Sequence, residues 1–224
     1  MLILKVKSFY RKTFSVFAVF ITLLVSSIAI AHPHRFIGLE TTFDIQNDKL
    51  VGLTFLWKMD PVASADILYE LQNVKPESDI WKKQATVLME NVLSHSYFSE
   101  LYVDGEKQQF RSMPESYSLK KEKLQLIFSF QVLLMNPVHF AARQFELLTY
   151  DPTFYTSMTY SESSKITLPL EMAAGCRLKL VEPFASYDLK KYAKSLDING
   201  LVDENLNLGL SFAQRVQVFL NKIH

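Results

Sequence analysis

The chain has 224 residues, 49% of them hydrophobic and 21% charged, with 24 basic and 23 acidic side chains, a formal charge of +1 and one cysteine. This balance, with no basic block beyond the first dozen residues, leaves no electrostatic footprint for nucleic acid. A lone cysteine, Cys176, excludes an intramolecular disulfide and reads as a small buried hydrophobe.

Lys5, Lys7, Arg11 and Lys12 precede an apolar run from Phe14 to Val25, and Ala29-Ile30-Ala31 follows. A basic start, an apolar stretch and an A-x-A site define a secretory signal peptide over residues 1–31. An uncleaved anchor is the competing reading, since Phe14 to Ala31 lies near the lower limit of about 17 residues for a span. Small residues at −3 and −1 favour removal after Ala31. The expected product is a single β-rich periplasmic domain, 32–224, whose 20 basic and 23 acidic side chains give a charge of −3. No later segment is long and apolar enough for a spanning helix, so no membrane span is expected after signal cleavage.

Residues 35 to 45 alternate, with Ile37, Leu39, Thr41, Phe43 and Ile45 on one face. Residues 49 to 59 do the same through Val51, Leu53, Phe55, Trp57 and Met59. Period two predicts half-buried strands, and Gln46-Asn47-Asp48 supplies the turn of a hairpin. Asp60-Pro61 ends the second strand, and a helical section follows to about residue 98. Within it Trp81, Ala85, Leu88 and Val92 recur at helical spacing, with Ser78 or Asp79 as the cap. Asp104-Gly105 signals a second hairpin. Leu124, Leu126, Phe128, Phe130, Val132 and Leu134 mark a long strand. Shorter strands are expected in QFELLTY, FYTSMTY, KITLPL and CRLKLVE, while SFAQRVQVFLNKIH fits either a strand or an amphipathic helix. The predicted class is α+β: mainly antiparallel, sandwich-like β with a helical insertion near 61–98, preceded by a signal-peptide helix.

The hairpin carries a chemical implication. If Ile45 and Lys49 flank the turn, opposed residues sum to about 94 and His34 faces Asp60, to within about two residues. His32, His34 and Asp60 are even-numbered, whereas the core positions of both strands are odd. Two imidazoles and a carboxylate at the open end of the hairpin suit a divalent nickel, cobalt, zinc or copper ion. Cleavage after Ala31 would add the α-amine of His32, whose ordinary pKa of about 7.7–8.0 makes it available near neutrality. Pro33 has no amide proton, which blocks the square-planar amino-terminal copper/nickel mode. The remaining mode, amine plus imidazole with His34 as a second arm, resembles a histidine brace. The bland alternative is a solvated, idle terminus.

Of the other histidines, His95 ends the second helix, His139 falls in an expected loop and His224 is terminal. YDPTFYTSMTY, residues 150–160, is unusually aromatic. Its Asp151-Pro152 reads as a tight turn, with Asp151 as a further candidate carboxylate near the hairpin's open end.

Four stretches in order, AHPHRFI, LTFLWKMD, HSYFSELYVDG and YDPTFY, resemble a bacterial family of unknown function. Its members are often labelled the periplasmic component of an uncharacterised ABC-type transport system and are frequently encoded beside nickel/cobalt-type transporters. The pattern covers His32, Pro33, His34, Trp57, Asp60, Tyr150, Asp151 and Pro152. The resemblance implies a periplasmic accessory to an inner-membrane metal transporter or permease. It supplies no fold, and the chain lacks the alternating βαβ pattern of two-lobed solute-binding proteins.

Three functions follow as expectations. The first is a metal-binding accessory in nickel, cobalt or zinc transport, with His32, His34, Asp60 and Asp151 as ligand candidates. The second is a metal-free interaction domain docking on a transporter through the aromatic 150–160 loop. The third is a copper histidine-brace enzyme. A non-enzymatic role is preferred, because no nucleophile elbow, H-E-x-x-H or phosphate-cradling glycine loop is present.

Overall fold

A computed structural model describes residues 35–140, 143–173, 175–195 and 207–220. The expected signal-peptide helix, His32, His34 and His224 lie outside these residues. Strands β1 (Arg35–Gln46) and β2 (Lys49–Met59) form the expected antiparallel hairpin. Leu39, Phe43, Leu53, Phe55 and Trp57 face the core.

The register differs from the expected one. Ile37 pairs with Met59 and Gly38 with Lys58, so Phe36 meets Asp60 where His34 was expected. Two local causes add up. The turn holds only Asn47 and Asp48, both left-handed (φ 49° and 59°), which is the tight hairpin geometry that Asn and Asp tolerate. A bulge at Val51 then shifts β2 against both neighbours. The same bulge gives Leu50, not Val51, the buried position. Gly52 beside it is obligatory, because a Cβ there would lie 2.3 Å from the Val132 carbonyl oxygen.

Helices α1 (Pro61–Glu70) and α2 (Asp79–Ser94) fill the predicted helical section. Asp60 is the N-cap of α1, with Pro61 at the first helical position, where its missing N–H is no loss. Trp81, Ala85, Met89 and Val92 bury one stripe of α2, and Leu88 is only half-buried. Ser78 takes the N-cap backbone shape without a side-chain bond.

The remaining strands are β3 (Ser99–Val103), β4 (Glu106–Lys107), β5 (Ser116–Glu122), β6 (Gln125–His139), β7 (Gln144–Thr149), β8 (Thr156–Thr159), β9 (Ile166–Thr167), β10 (Cys176–Val181) and β11 (Arg215–Leu220). Short helices α3 (Leu170–Ala173) and α4 (Tyr187–Ser195) flank β10 in sequence. His139 closes β6, opposite Lys49, rather than sitting in a loop. Leu124 precedes β6 and is exposed. The ambiguous tail is strand, paired with both β10 and β7.

One sheet has the order β5-β6-β2-β1-β8, with β9 also on β1, and the other β10-β11-β7-β3-β4. All pairs are antiparallel except β1 with β8 and β9. Inner residues of both sheets join the α2 stripe in one hydrophobic cluster, which includes Phe128 and Phe130 of the first sheet and Leu101, Phe145 and Val216 of the second. The fold is therefore the expected α+β class with two mainly antiparallel sheets. Cys176 packs half-buried at the edge of this core, and burial pushes its thiol up, away from reactivity. Among the described residues no helix is long and apolar enough to cross a membrane.

Candidate functional site

The open end of the hairpin does not close on itself. Residues of α1, α2 and the β7–β8 loop join those of the hairpin around a cavity of about 140 Å³. Ile37, Trp57, Met59, Phe128 and Met158 form its floor on the first sheet, and Ala63, Ile67, Leu88 and Val92 its helical wall. Phe98 closes one side. Arg35, Asn91, Asp151 and Thr156 bring polarity to the lining. The four stretches that carry the family resemblance thus converge here, through Arg35 and Ile37, Trp57 and Met59, Phe98, and Asp151.

Each polar element is held by a specific bond. Asp60 Oδ1 accepts from Ala63 N at 2.6 Å, capping α1, and Oδ2 accepts from Phe36 N at 2.6 Å, fixing the start of β1. Ser64 is fully buried, donates to the Asp60 carbonyl at 2.7 Å and accepts from Leu126 N at 2.9 Å, which ties α1 to β6. Asp151 Oδ1 accepts from Thr153 N at 2.9 Å and Thr153 Oγ1 at 2.7 Å, and Oδ2 accepts from Thr156 N at 2.9 Å. Asp151 is thus the turn residue that Asp-Pro chemistry predicts, and it also lines the cavity. The aromatics of its loop pack as expected for a turn: Phe154 stacks on Phe212 at 4.1 Å, and the Arg35 guanidinium lies 5.7 Å from the Tyr155 ring centre. Tyr160 is buried, shares a 2.8 Å hydrogen bond with Thr41, and is pushed up to about 12 by that burial.

The two candidate carboxylates therefore flank the same point. Asp60 holds Phe36 on the β2 side of β1, and Asp151 holds Thr156, the partner of Arg35, on the β8 side. Among the described residues no group of three or more His, Cys, Asp or Glu side chains is placed to hold a metal ion. His95 lies near Phe98, stacked on it at 4.6 Å, with Nδ1 2.9 Å from the Asn91 carbonyl. It caps the end of α2. His139 is exposed at the far end of β6, away from the cavity lining.

A strained turn adjoins the cavity. Ser96, Tyr97 and Phe98 are all left-handed, with φ of 51°, 62° and 50°. None is Gly, Asn or Asp, and a left-handed conformation costs such residues roughly 1–2 kcal/mol each. Surrounding contacts hold it. Tyr97 is buried, stacks on Phe130 and donates to the Arg111 carbonyl at 2.8 Å; burial raises its phenol to about 12. Phe98 meets Trp57 edge-on at 6.0 Å, and its carbonyl accepts from Tyr150 N. The turn drives Phe98 into the cavity wall and leads directly into β3. Ser96 is the exposed member, so Ser96→Gly relieves strain without opening a void. An increase in stability of about 1 kcal/mol is expected, a rise in Tm of about 2–4 °C by calorimetry.

Comparison with known proteins bears on the family of the chain. A family model described as "Protein of unknown function (DUF1007)" matches residues 17–219. The chain belongs to the DUF1007 family. A relative, an uncharacterized protein of Haemophilus influenzae, is 33% identical over 201 residues, covering 89% of this chain and 96% of the relative.

Sequence reasoning reached Asp60, Asp151 and Trp57 but passed over Arg35, Phe98 and the cavity. The signal for Arg35 was its place directly after His-Pro-His at the head of a strand. Phe98 carried none, because its left-handed backbone has no local sequence cause.

Proposed function

We propose that this DUF1007 protein is a periplasmic accessory of a transition-metal transport system, processed after Ala31, which holds nickel, cobalt or zinc through His32 and His34. The observation that carries the reading is the entry point of β1. Arg35 directly follows His32-Pro33-His34 and enters the sheet between β2, which ends one residue before Asp60, and the loop built on Asp151. The donor chemistry fits. Each Oδ2 accepts one backbone N–H and retains a lone pair, and imidazole with carboxylate suits a borderline divalent ion that must later be released. The absence of a thiolate cluster argues against tight storage or copper(I). The family resemblance supports an inner-membrane metal permease as the partner.

A metal-free docking domain is the second reading. It is favoured by the fact that both carboxylates already have structural duties, Asp60 as the cap of α1 and Asp151 in the β7–β8 turn.

A competitive titration decides between them. Protein starting at authentic His32, its mass verified, is compared with a form carrying one additional N-terminal residue and with His32→Ala/His34→Ala. Nickel, cobalt, zinc and copper(II) are titrated in parallel. Affinity for nickel, cobalt or zinc is expected to fall at least tenfold in the extended form, which loses the amine chelate, and further in the double variant. No binding by any form overturns the metal reading. Copper preference with oxygen consumption would instead establish the histidine-brace enzyme.

A further inference from the structure

The His95 ring is fixed on one edge and open on the other. Nδ1 lies 2.9 Å from the Asn91 carbonyl oxygen and 2.9 Å from Ser94 Oγ. Ser94 Oγ donates its own hydrogen to the same carbonyl at 2.8 Å. A carbonyl oxygen and a hydroxyl already donating elsewhere can only accept, so Nδ1 carries the ring hydrogen. The ring also stacks on Phe98, its plane 13° from parallel. In the neutral ring the free lone pair is then on Nε2. That atom has no partner among the described residues and is not among the buried unpaired atoms. An imidazole whose Nδ1–H is given to a backbone carbonyl, with Nε2 left open, is oriented for a metal ion.

Its place in the fold fits. His95 lines a groove of about 890 Å³ together with Phe98 and Pro152. Asn91 and Phe98, which fix its ring, also line the cavity shared by Arg35 and Asp151. His32 stands three residues before Arg35, and three residues of extended chain span about 10 Å. The processed terminus offers three donors, an amine and two imidazoles, whereas zinc takes four in most protein sites. Asp60 and Asp151 already accept backbone N–H groups, while His95 Nε2 is uncommitted. We propose that His95 completes the metal site, its Nε2 joining His32 and His34 as a third imidazole ligand to the nickel, cobalt or zinc ion. This rests on the metal-binding reading above. It ties the ion to the end of α2, so that the terminus and the folded domain share one site.

Zinc is the probe, because it is diamagnetic. The full chain, expressed with its own N-terminal segment, processed by the cell and verified by mass to start at His32, is labelled with ¹⁵N. Zinc is expected to move the His95 Nε2 signal and to leave the ring signals of His139 in place. His95→Asn keeps an amide able to donate to the Asn91 carbonyl but has nothing in the place of Nε2. Its zinc affinity, measured by competition with a chelator, is expected to fall at least tenfold. The native signal decides the question even if this variant folds poorly. Zinc binding that is lost in His32→Ala/His34→Ala yet leaves the native His95 signal unmoved, or that His95→Asn retains in full, overturns the proposal and leaves the terminal site standing. A His95 signal that moves equally in the double variant also overturns it, since that ring would then bind by itself. Binding by no form overturns this proposal and the metal reading together.

Discussion

Gly209→Ala is expected to lower stability by about 3 kcal/mol, through a clash that cannot relax by rotamer change. Gly209 lies in the buried turn Leu208–Phe212, and its N–H donates to the Pro152 carbonyl at 3.0 Å. A Cβ at this position would lie 1.8 Å from the Asp151 carbonyl oxygen and 2.8 Å from its carbonyl carbon. Both are backbone atoms of the loop that lines the cavity. That loop is fixed by the Asp151 side-chain bonds to Thr153 and Thr156 and by the stacking of Phe154 on Phe212. Either the loop or the turn must move. Thermal unfolding should show a fall in Tm of about 6–12 °C for a domain of this size. The Trp57 indole resonance should shift, because Asp151 and Trp57 line the same cavity. Gly38→Ala provides the opposite control. Its Cβ would meet nothing closer than 3.8 Å, on Lys58, so it should be neutral or stabilising by up to about 1 kcal/mol. If Gly209→Ala unfolded no more easily than Gly38→Ala, the Asp151 loop would be free to yield to the added methyl group.

What could be read from the sequence divides along physical lines. The β1–β2 hairpin was legible because strict alternation places every second side chain on one face. Its register was not, because one bulged residue and one residue of turn length together displace the pairing by two. β5 left no signal. It is an edge strand in which only Leu119 is buried, so neither face alternates. β6 was legible because Leu126, Phe128, Phe130, Val132 and Leu134 all reach the core. The tail was ambiguous until β10 and β7 were seen to supply partners on both sides.

The site was legible as separate motifs and not as a place. Asp60-Pro61 reads as a helix start, and Asp151-Pro152 as a turn. Nothing local says that both flank the first residues of β1. That follows from the parallel pairing of β1 with β8, a contact between residues more than a hundred positions apart. The buried Trp57 indole N–H, which has no hydrogen-bond partner among the described residues, is equally invisible, since pairing is a property of the packed core. The Ser96–Phe98 turn is the extreme case, a backbone shape imposed on residues that disfavour it.

Asp60 separates a structural role from a metal-binding one. Its two oxygens accept two N–H groups from different elements, Ala63 in α1 and Phe36 in β1. Alanine removes both bonds. Loss of the cap costs about 1–2 kcal/mol and loss of the strand contact about 0.5–1.5 kcal/mol, so Asp60→Ala should destabilise by about 2–3 kcal/mol. Asparagine offers one acceptor oxygen, and its amide would face the second N–H, so Asp60→Asn should fall roughly midway. These losses are expected in metal-free protein whatever the function. The informative quantity is the further rise in Tm when nickel or zinc is added, because an ion that binds only the folded chain stabilises it in proportion to its affinity. If Asp60 is a ligand, that increment shrinks in both variants, including the milder asparagine. If Asp60 is only a cap, both start from a lower Tm and rise by the same amount as the native chain, leaving His32 and His34 to hold the ion without it.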